Sequence, residues 1–254
     1  MATPILIEVC ANSYESALAA QLGGAQRVEL CADLVEGGIT PSAGMIERVR
    51  RDLRIPFNVL IRPRGGDFCY SEAEFDIMKR DILAAQSLGA DGVVIGILKP
   101  DGTIDVERCS VLVDLARPLS ITFHRAFDMS RDLFRAFDDV LKLGVDRLLT
   151  SGGRQTAMDG AEVISQLVRQ AGEGLILMPG SGIKPDNITT LIQKTRAREF
   201  HLSGQKKIGS VMTYKNPLIN MGGVPGVPEY EIGVTDADVI RKTVSLAEAE
   251  AAVP

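Results

Sequence analysis

Short apolar runs alternate with amphipathic segments along almost the whole chain. The apolar runs have the length of buried strands, and the segments between them repeat their apolar positions at helical spacing. Strands are predicted at Ile5–Cys10, Arg27–Cys31, Phe57–Arg62, Gly92–Ile97, Ser120–His124, Arg147–Ser151, Leu175–Pro179 and Glu199–Ser203. Helices are predicted near residues 13–23, 42–53, 73–88, 105–116, 132–143, 156–171 and 185–195, and over Asp236–Ala251.

The junctions between helices and strands repeat as well. Leu22-Gly23-Gly24, Leu88-Gly89-Ala90 and Leu143-Gly144-Val145 each place a glycine between a helix end and a strand, and glycine adopts the left-handed conformation that closes a helix. Eight strands alternating with eight helices over 254 residues predict an α/β fold, a single-domain (β/α)8 TIM barrel spanning residues 1–254. A doubly wound open sheet would be expected to carry a glycine-rich fingerprint after its first strand, and Cys10-Ala11-Asn12-Ser13 is not one.

One connection breaks this alternation. Residues 204–235, between the eighth strand and the last helix, are rich in glycine and proline and predict a long structureless loop. Loops of this length usually serve as lids, binding loops or interfaces. A packed extension that covers the barrel is an equal alternative. A separate hypothesis is that the protein is a non-catalytic scaffold that assembles through this loop.

The polar positions within the strands predict a site inside the barrel. Alternate residues of a strand point to opposite faces, and in the first, second, fifth and eighth strands one face is apolar and belongs against the helices. The other face then points into the lumen and carries Glu8, Glu29, His124, Glu199 and His201. Buried charges are costly unless they are paired or used, and barrel active sites lie at the C-terminal strand ends. We therefore favour a functional site over a purely structural ion-pair network, with Glu8, Glu29 and His124 as candidates for proton transfer.

Two cysteines should converge on the lumen side. Glu8-Val9-Cys10 and Glu29-Leu30-Cys31 are near copies on strands that should be neighbours, which places Cys10 and Cys31 at similar heights. Two convergent thiolates form a soft site that prefers Cu(I) to harder cations. The alternative is a pair of small buried side chains, a common fate of free cysteine. Cys69 and Cys109 have no obvious thiol partner.

Arginines, small polar residues and glycines follow several of the strands. Arginine forks suit carboxylates and phosphates, and barrels frequently bind phosphate with the loops after strands 7 and 8. The candidate anion-binding residues are Arg62, Arg64, Arg125, Ser151, Gly180, Ser181, Gly182 and Ser203. Each could instead be a satisfied structural residue or part of an ordinary turn. No organic cofactor is evident, and no lysine lies within these strand ends, which counts against a Schiff-base aldolase.

Composition narrows the classes of protein further. A net charge of −5 and a pI of about 5.2 do not indicate the basic surface that binds nucleic acid or an anionic membrane. The apolar stretch Val93–Leu98 is far shorter than the roughly 20 residues that span a bilayer, and Glu8 comes too early for a signal-peptide core. Four cysteines do not make a disulfide scaffold in a chain of this size. We expect a cytoplasmic protein with reduced thiols.

Six segments together closely resemble the CutC copper homeostasis family: Glu8–Cys10, Glu29–Cys31, Ile61–Phe68, Thr122–Asp128, Leu149–Gly152 and Glu199–Ser203. The resemblance runs from about residue 5 to the last helix. It implies a cytoplasmic (β/α)8 barrel that forms homo-oligomers, as a dimer or tetramer, with a role in copper tolerance and trafficking. It also implies Cys10 and Cys31 as the Cu(I)-binding thiols, since they occupy the family's E-V-C and E-L-C positions.

Two functions are therefore carried forward from the sequence. The first is copper homeostasis through Cys10 and Cys31, with Glu8, Glu29 and His124 supporting the metal site. The second is a barrel enzyme of unknown reaction that acts on a small phosphorylated or carboxylated metabolite at the C-terminal mouth. The expected partner is accordingly a copper ion or a small anionic ligand, and neither nucleic acid nor a membrane.

Overall fold

A computed structural model describes residues 4–219 and 228–252 and shows eight parallel strands arranged around a barrel. The strands are β1 (Leu6–Ala11), β2 (Arg27–Leu30), β3 (Phe57–Leu60), β4 (Gly92–Ile95), β5 (Ser120–Phe123), β6 (Arg147–Thr150), β7 (Ile176–Pro179) and β8 (Glu199–Leu202). They are hydrogen-bonded in the order β7-β6-β5-β4-β3-β2-β1-β8. A parallel bridge between Gly180 and His201 joins the two outer strands and nearly closes the barrel. The predicted (β/α)8 barrel is confirmed.

Helices alternate with the strands and surround the barrel. They are α1 (Tyr14–Leu22), α2 (Ala43–Asp52), α3 (Glu72–Ser87), α4 (Val106–Ala116), α5 (Leu133–Leu143), α6 (Ala161–Ala171), α7 (Ile188–Thr195) and α8 (Ala237–Ala251). Helix α6 begins later than the sequence pattern predicts, because Thr156 and Asp159 hydrogen-bond to each other and hold the preceding residues in a turn. Among the described helices there is no candidate for a membrane-spanning segment.

The apolar faces of the strands form the main core against the helices. Ile7, Val28, Phe57, Phe123 and Phe200 are all completely buried there. This is the face that the period of two assigned to the helices, so the opposite face of each strand points into the lumen. Burial of the apolar face therefore fixes which side chains the barrel encloses.

Ion pairs fill the lower part of the lumen. Arg27 donates hydrogen bonds to both Glu8 and Glu199, and Arg147 donates to Glu199 at 2.8 Å. Two arginines thus balance two carboxylates, which offsets the cost of burying each charge. The structural ion-pair network that the sequence left as an alternative is present in this layer, below the C-terminal mouth.

The connection between β8 and α8 is not a structureless loop, and that prediction is wrong. It contains an antiparallel ribbon of β9 (Gln205–Gly209) and β10 (Glu231–Thr235), and the side chains of Lys207 and Glu231 pair across it at 3.2 Å. The pattern missed the ribbon because β9 is mostly polar and exposed along its length, so only its hydrogen bonds to the distant β10 define it as a strand. Residues 220–227 of this connection lie outside the described residues.

Candidate functional site at the C-terminal barrel mouth

A cavity of about 920 Å³ opens at the C-terminal end of the barrel. Eight of the predicted site residues line it: Cys10, Glu29, Arg62, His124, Arg125, Ser181, Gly182 and Ser203. The other five do not: Glu8, Cys31, Arg64, Ser151 and Gly180. The volume is in the range of small-molecule sites, so the mouth can admit a ligand.

The two predicted thiols are in contact. Cys10 of β1 pairs in register with Glu29 of β2, and Cys31 follows two residues later on the same face. This brings the Cys10 and Cys31 sulfur atoms to 3.3 Å from each other. Cys31 is fully buried and Cys10 is 6% exposed. Of the two thiols, Cys10 lines the cavity and Cys31 does not, so an ion that enters through the mouth would reach Cys10 before Cys31.

A carboxylate and a histidine complete a set of metal-type ligands. One ligand atom each from Cys10, Glu29 and His201 lie within 4.8 Å of one another. Oε2 of Glu29 is buried and has no hydrogen-bond partner, which fits a group that a cation would satisfy. A Cys10–Cys31 separation below twice a metal–sulfur bond of about 2.3 Å lets one ion contact both sulfurs. The residues present therefore fit a metal ion.

His201 is the member of this group that the sequence predicted in the lumen but not as a candidate metal-binding residue. Its Nδ1 hydrogen-bonds to Oε1 of Glu8 at 2.8 Å, the carboxylate–histidine arrangement that orients metal ligands. Burial would raise the pKa of Glu8, but Arg27 and His201 lower it to about 2. Burial would lower the pKa of His201, but the Glu29 and Glu8 carboxylates raise it. Glu8 thus acts behind His201 rather than in the cavity.

Protonation of the Cys10 thiol is favoured in the metal-free site. A hydrogen bond to Cys31 and burial raise the pKa of the Cys10 thiol well above its usual range. Burial also raises the pKa of Glu29, with His201 opposing the rise and Glu8 adding to it. Since metals bind thiolates, an incoming ion has to displace protons from this site.

His124 is neutral and presents an unused ring nitrogen. Its Nδ1 accepts a hydrogen bond from the Ala126 N–H at 3.1 Å, so the ring proton belongs on Nε2. Nε2 is buried without a partner, and the residue is 5% exposed at the cavity wall. Burial and the Arg62 charge lower the pKa of His124 to about 3. The imidazole can therefore donate a hydrogen bond but stays uncharged near neutral pH.

Arg62 and Arg64 serve mainly to hold backbone. Arg62 donates to the carbonyl groups of Glu36, Gly38 and Gly66 at 2.7 to 2.8 Å, and its guanidinium lies 5.0 Å from the Phe68 ring centre. Arg64 is further from the site, because it pairs with Glu74 and Asp67 and also bonds three carbonyl groups. The structure brings Arg62 to the cavity wall, with three N–H groups bonded to carbonyl groups and Nε buried without a partner among the described residues, and it leaves Arg64 outside.

Arg125 and Ser151 meet at a buried aspartate rather than at a free anion site. Arg125 donates to Asp128 at 2.8 Å and to the Ser151 hydroxyl at 2.8 Å. The Ser151 hydroxyl and N–H both donate to Asp128. Gly180 is likewise occupied, since its N–H donates to the Thr150 carbonyl and continues the pairing of β7 with β6. Only Arg125 of these three predicted residues lines the cavity.

The fold and this site define a barrel protein with a buried thiol, histidine and carboxylate cluster at its C-terminal mouth. The CutC family model matches residues 5–206, and the chain belongs to this family. The mouse copper homeostasis protein cutC homolog is 46% identical over 243 residues, covering 96% of this chain and 89% of that protein. The corresponding human homolog is 44% identical over 247 residues, with coverage of 97% and 90%.

A solved structure of CutC from Streptococcus agalactiae supports the same assignment. It superposes with a TM-score of 0.75 at 34% identity and covers 78% of this chain and 98% of its own. Phosphoribosyl anthranilate isomerase from Thermotoga maritima superposes with a TM-score of 0.57 at 15% identity, covering 96% and 99%. At that identity the likeness shows the barrel fold alone.

Proposed function

We propose that this CutC family member binds Cu(I) through Cys10 and Cys31 and acts in cytoplasmic copper homeostasis. The observation that carries the proposal is the 3.3 Å separation of the two sulfur atoms at the inner end of the cavity. Soft thiolate ligands select Cu(I) over hard cations. Belonging to the copper homeostasis family supports the same metal.

His201 and Glu29 extend the thiol pair into a larger ligand set. Both lie with Cys10 in one group of potential ligand atoms, and Glu8 fixes the orientation of His201. Hydrogen-bonded partners of this kind hold metal ligands in place and tune their basicity. We infer that Cys10 receives the ion from the cavity and that Cys31 completes the binding pair.

An anaerobic Cu(I) titration of the reduced protein against a chromogenic competitor tests this function. We expect about one equivalent of tight binding in the native chain and its loss in a Cys10→Ser/Cys31→Ser variant, because serine oxygen is a poor ligand for a soft ion. Cys69→Ser is the matched control, since Cys69 is a free cysteine that takes no part in the cluster. Binding that survives the double substitution would overturn the proposal.

A second candidate function is a barrel enzyme that acts on a small phosphorylated or carboxylated metabolite. The observation that favours it is the unpartnered Nε2 of His124 in the cavity wall. A neutral imidazole placed there can donate a hydrogen bond to a developing oxyanion. Turnover of such metabolites, followed by NMR, should disappear in His124→Gln; activity that persists in this variant would remove His124 from the reaction.

We also propose that the chain forms a homo-oligomer, a dimer or tetramer, through the residues that follow β9. Val211, Tyr214 and Leu218 are 98%, 71% and 90% exposed. Large apolar side chains gathered on one segment commonly mark a protein–protein contact. A second copy of the chain would cover them.

A further inference from the structure

The cavity has another wall, formed by the loops after β7 and β8 together with α8. Its lining residues are Ser181, Gly182, Ile183, Lys184, Ser203, Gly204 and Lys242. None of them belongs to the thiol cluster. Four of them were not among the candidate site residues predicted from the sequence: Ile183, Lys184, Gly204 and Lys242.

In the loop after β7, the carbonyl groups of Ser181 and Gly182 accept hydrogen bonds, but not every N–H group of the loop donates one. The Ser181 carbonyl accepts from the Ala157 N–H at 3.0 Å, and the Gly182 carbonyl accepts from Asn187 Nδ2 at 2.9 Å. Within the described chain, the N–H groups of Gly182 and Ile183 have no hydrogen-bond partner, whereas the Ser181 N–H faces β8 across the bridge between Gly180 and His201. Ser181 and Gly182 have φ values of 80° and 72°, and consecutive residues of this kind can gather N–H groups on one side.

The β8 loop repeats this asymmetry. The Ser203 carbonyl accepts from the Thr235 hydroxyl at 3.2 Å, and the Gly204 carbonyl accepts from the Asp236 N–H at 2.8 Å. The N–H groups of Ser203 and Gly204 find no partner in residues 4–219 and 228–252. The two loops at this edge of the barrel therefore contain four backbone N–H groups without a partner among the described residues, and each carries a partial positive charge.

Two lysine side chains line the same cavity as these N–H groups. Lys184 and Lys242 are exposed, line the cavity and form no ion pair with any described residue. One carboxylate, that of Asp186, belongs to the same stretch of the lining. The ammonium groups outnumber it, so the local charge favours an anion.

An independent observation in the same cavity points to a ligand. His124 is 5% exposed, and its Nε2 has no partner in the described structure. A Cβ at Gly96 would lie 2.5 Å from Nδ1 and Cε1 of the ring, so that edge of the ring rests against backbone. Burying the Nε2–H donor of His124 without a partner costs free energy. A ligand in the cavity that accepts its hydrogen bond would remove this cost.

We propose that this end of the cavity binds the terminal phosphate of a small phosphate monoester, whose remaining part reaches toward His124. A phosphate group offers three acceptor oxygens and close to two negative charges, which suits four N–H groups and two ammonium groups better than a carboxylate would. Barrels commonly bind phosphate with the loops after strands 7 and 8. This inference rests on the second candidate function and names its substrate class, whereas the copper proposal does not depend on it.

Amide NMR of the full chain, titrated with inorganic phosphate and with glycerol phosphate, tests the site directly. We expect the signals of Gly182, Ile183, Ser203 and Gly204 to shift in a saturable way, and glycerol to leave them unchanged. A Lys184→Gln/Lys242→Gln variant should bind glycerol phosphate about tenfold more weakly, because two attractive charges are lost. Asp186→Asn is the control, because it removes a negative charge from the same part of the lining. This variant should bind glycerol phosphate at least as tightly as the native chain.

The outcomes separate this inference from the copper proposal. The lysine double variant should keep Cu(I) binding, and Cys10→Ser/Cys31→Ser should keep phosphate binding. Absence of saturable glycerol phosphate binding, shifts confined to other residues, or equal shifts with acetate would each overturn the phosphate site. Phosphate binding without any turnover would leave the site standing and count against the enzyme.

Discussion

Glu8 holds the His201 ring by a hydrogen bond of 2.8 Å between Oε1 and Nδ1. Glu8 is completely buried, and Arg27 binds its other oxygen. The carboxylate therefore links the ion-pair layer inside the barrel to a histidine that lines the cavity. Nδ1 is engaged by this bond, which leaves Nε2 of His201 for the ligand cluster.

Glu8→Gln should destabilise the protein by about 3 to 5 kcal/mol, because it removes one charge from a buried pair and leaves Arg27 partly uncompensated. Urea unfolding followed by circular dichroism measures the change. Glu47→Gln is the control, since Glu47 is exposed, and substitutions of that kind usually stay within about 0.5 kcal/mol. Equal stability of the two variants would show that the buried pair contributes little.

His201→Gln should weaken Cu(I) binding by about tenfold or more while leaving the thiol pair intact, since an oriented imidazole and its carboxylate partner tune a metal site to that extent. The competitor titration used for the thiol variants provides the measurement. His124→Gln serves as the comparison, because His124 is outside the ligand cluster. If both histidine variants bind Cu(I) like the native chain, His201 is not a ligand.

Gly96→Ala should cost about 1 to 3 kcal/mol, because the added Cβ would lie 2.5 Å from the His124 ring and overpack the site. Gly44→Ala offers a matched control in α2, where a Cβ meets nothing within 4 Å. That substitution should stabilise the helix by roughly 0.5 to 1 kcal/mol. Thermal unfolding of both variants distinguishes local crowding from a general intolerance of alanine.

His124 should make the folded state sensitive to acid. Burial and Arg62 lower its pKa from 6.5 to about 3, so between these values the unfolded chain binds a proton that the folded chain does not. This contribution to stability is present above about pH 6.5 and is lost as the pH falls toward 3, by at most about 1.4 kcal/mol per pH unit. His124→Gln should show a shallower loss of unfolding free energy between pH 6 and pH 4.5. Parallel slopes in the two proteins would contradict the low pKa.

Val211→Ser/Leu218→Ser should shift the assembly toward monomer, because the two side chains are 98% and 90% exposed in a single chain and a second copy would bury them. Light scattering at fixed protein concentration measures the change in mass. Leu83→Ser, at a half-exposed position on α3, controls for the general loss of an apolar group. An unchanged mass in the double variant would place the contact elsewhere.

The alternation of apolar and polar residues determined the barrel and the contents of its lumen. Strand periodicity is a local property, because successive side chains alternate between faces whatever the partner strands are. It therefore placed Cys10, Cys31, Glu29 and His124 inward, and the register of β1 with β2 then brought the thiols together. The resemblance to the CutC family pointed to the same pair.

Only the tertiary structure decided which inward residues are free to act. Arg62 donates to the carbonyl groups of Glu36 and Gly38, which belong to another segment of the chain. Glu8 is completely buried and hydrogen-bonds to His201, which separates it from the cavity. The position of the Gly204 carbonyl is likewise set by the distant Asp236, whose N–H donates to it at 2.8 Å. A residue's type and spacing fix what it can donate or accept, but its partners come from parts of the chain that meet only on folding.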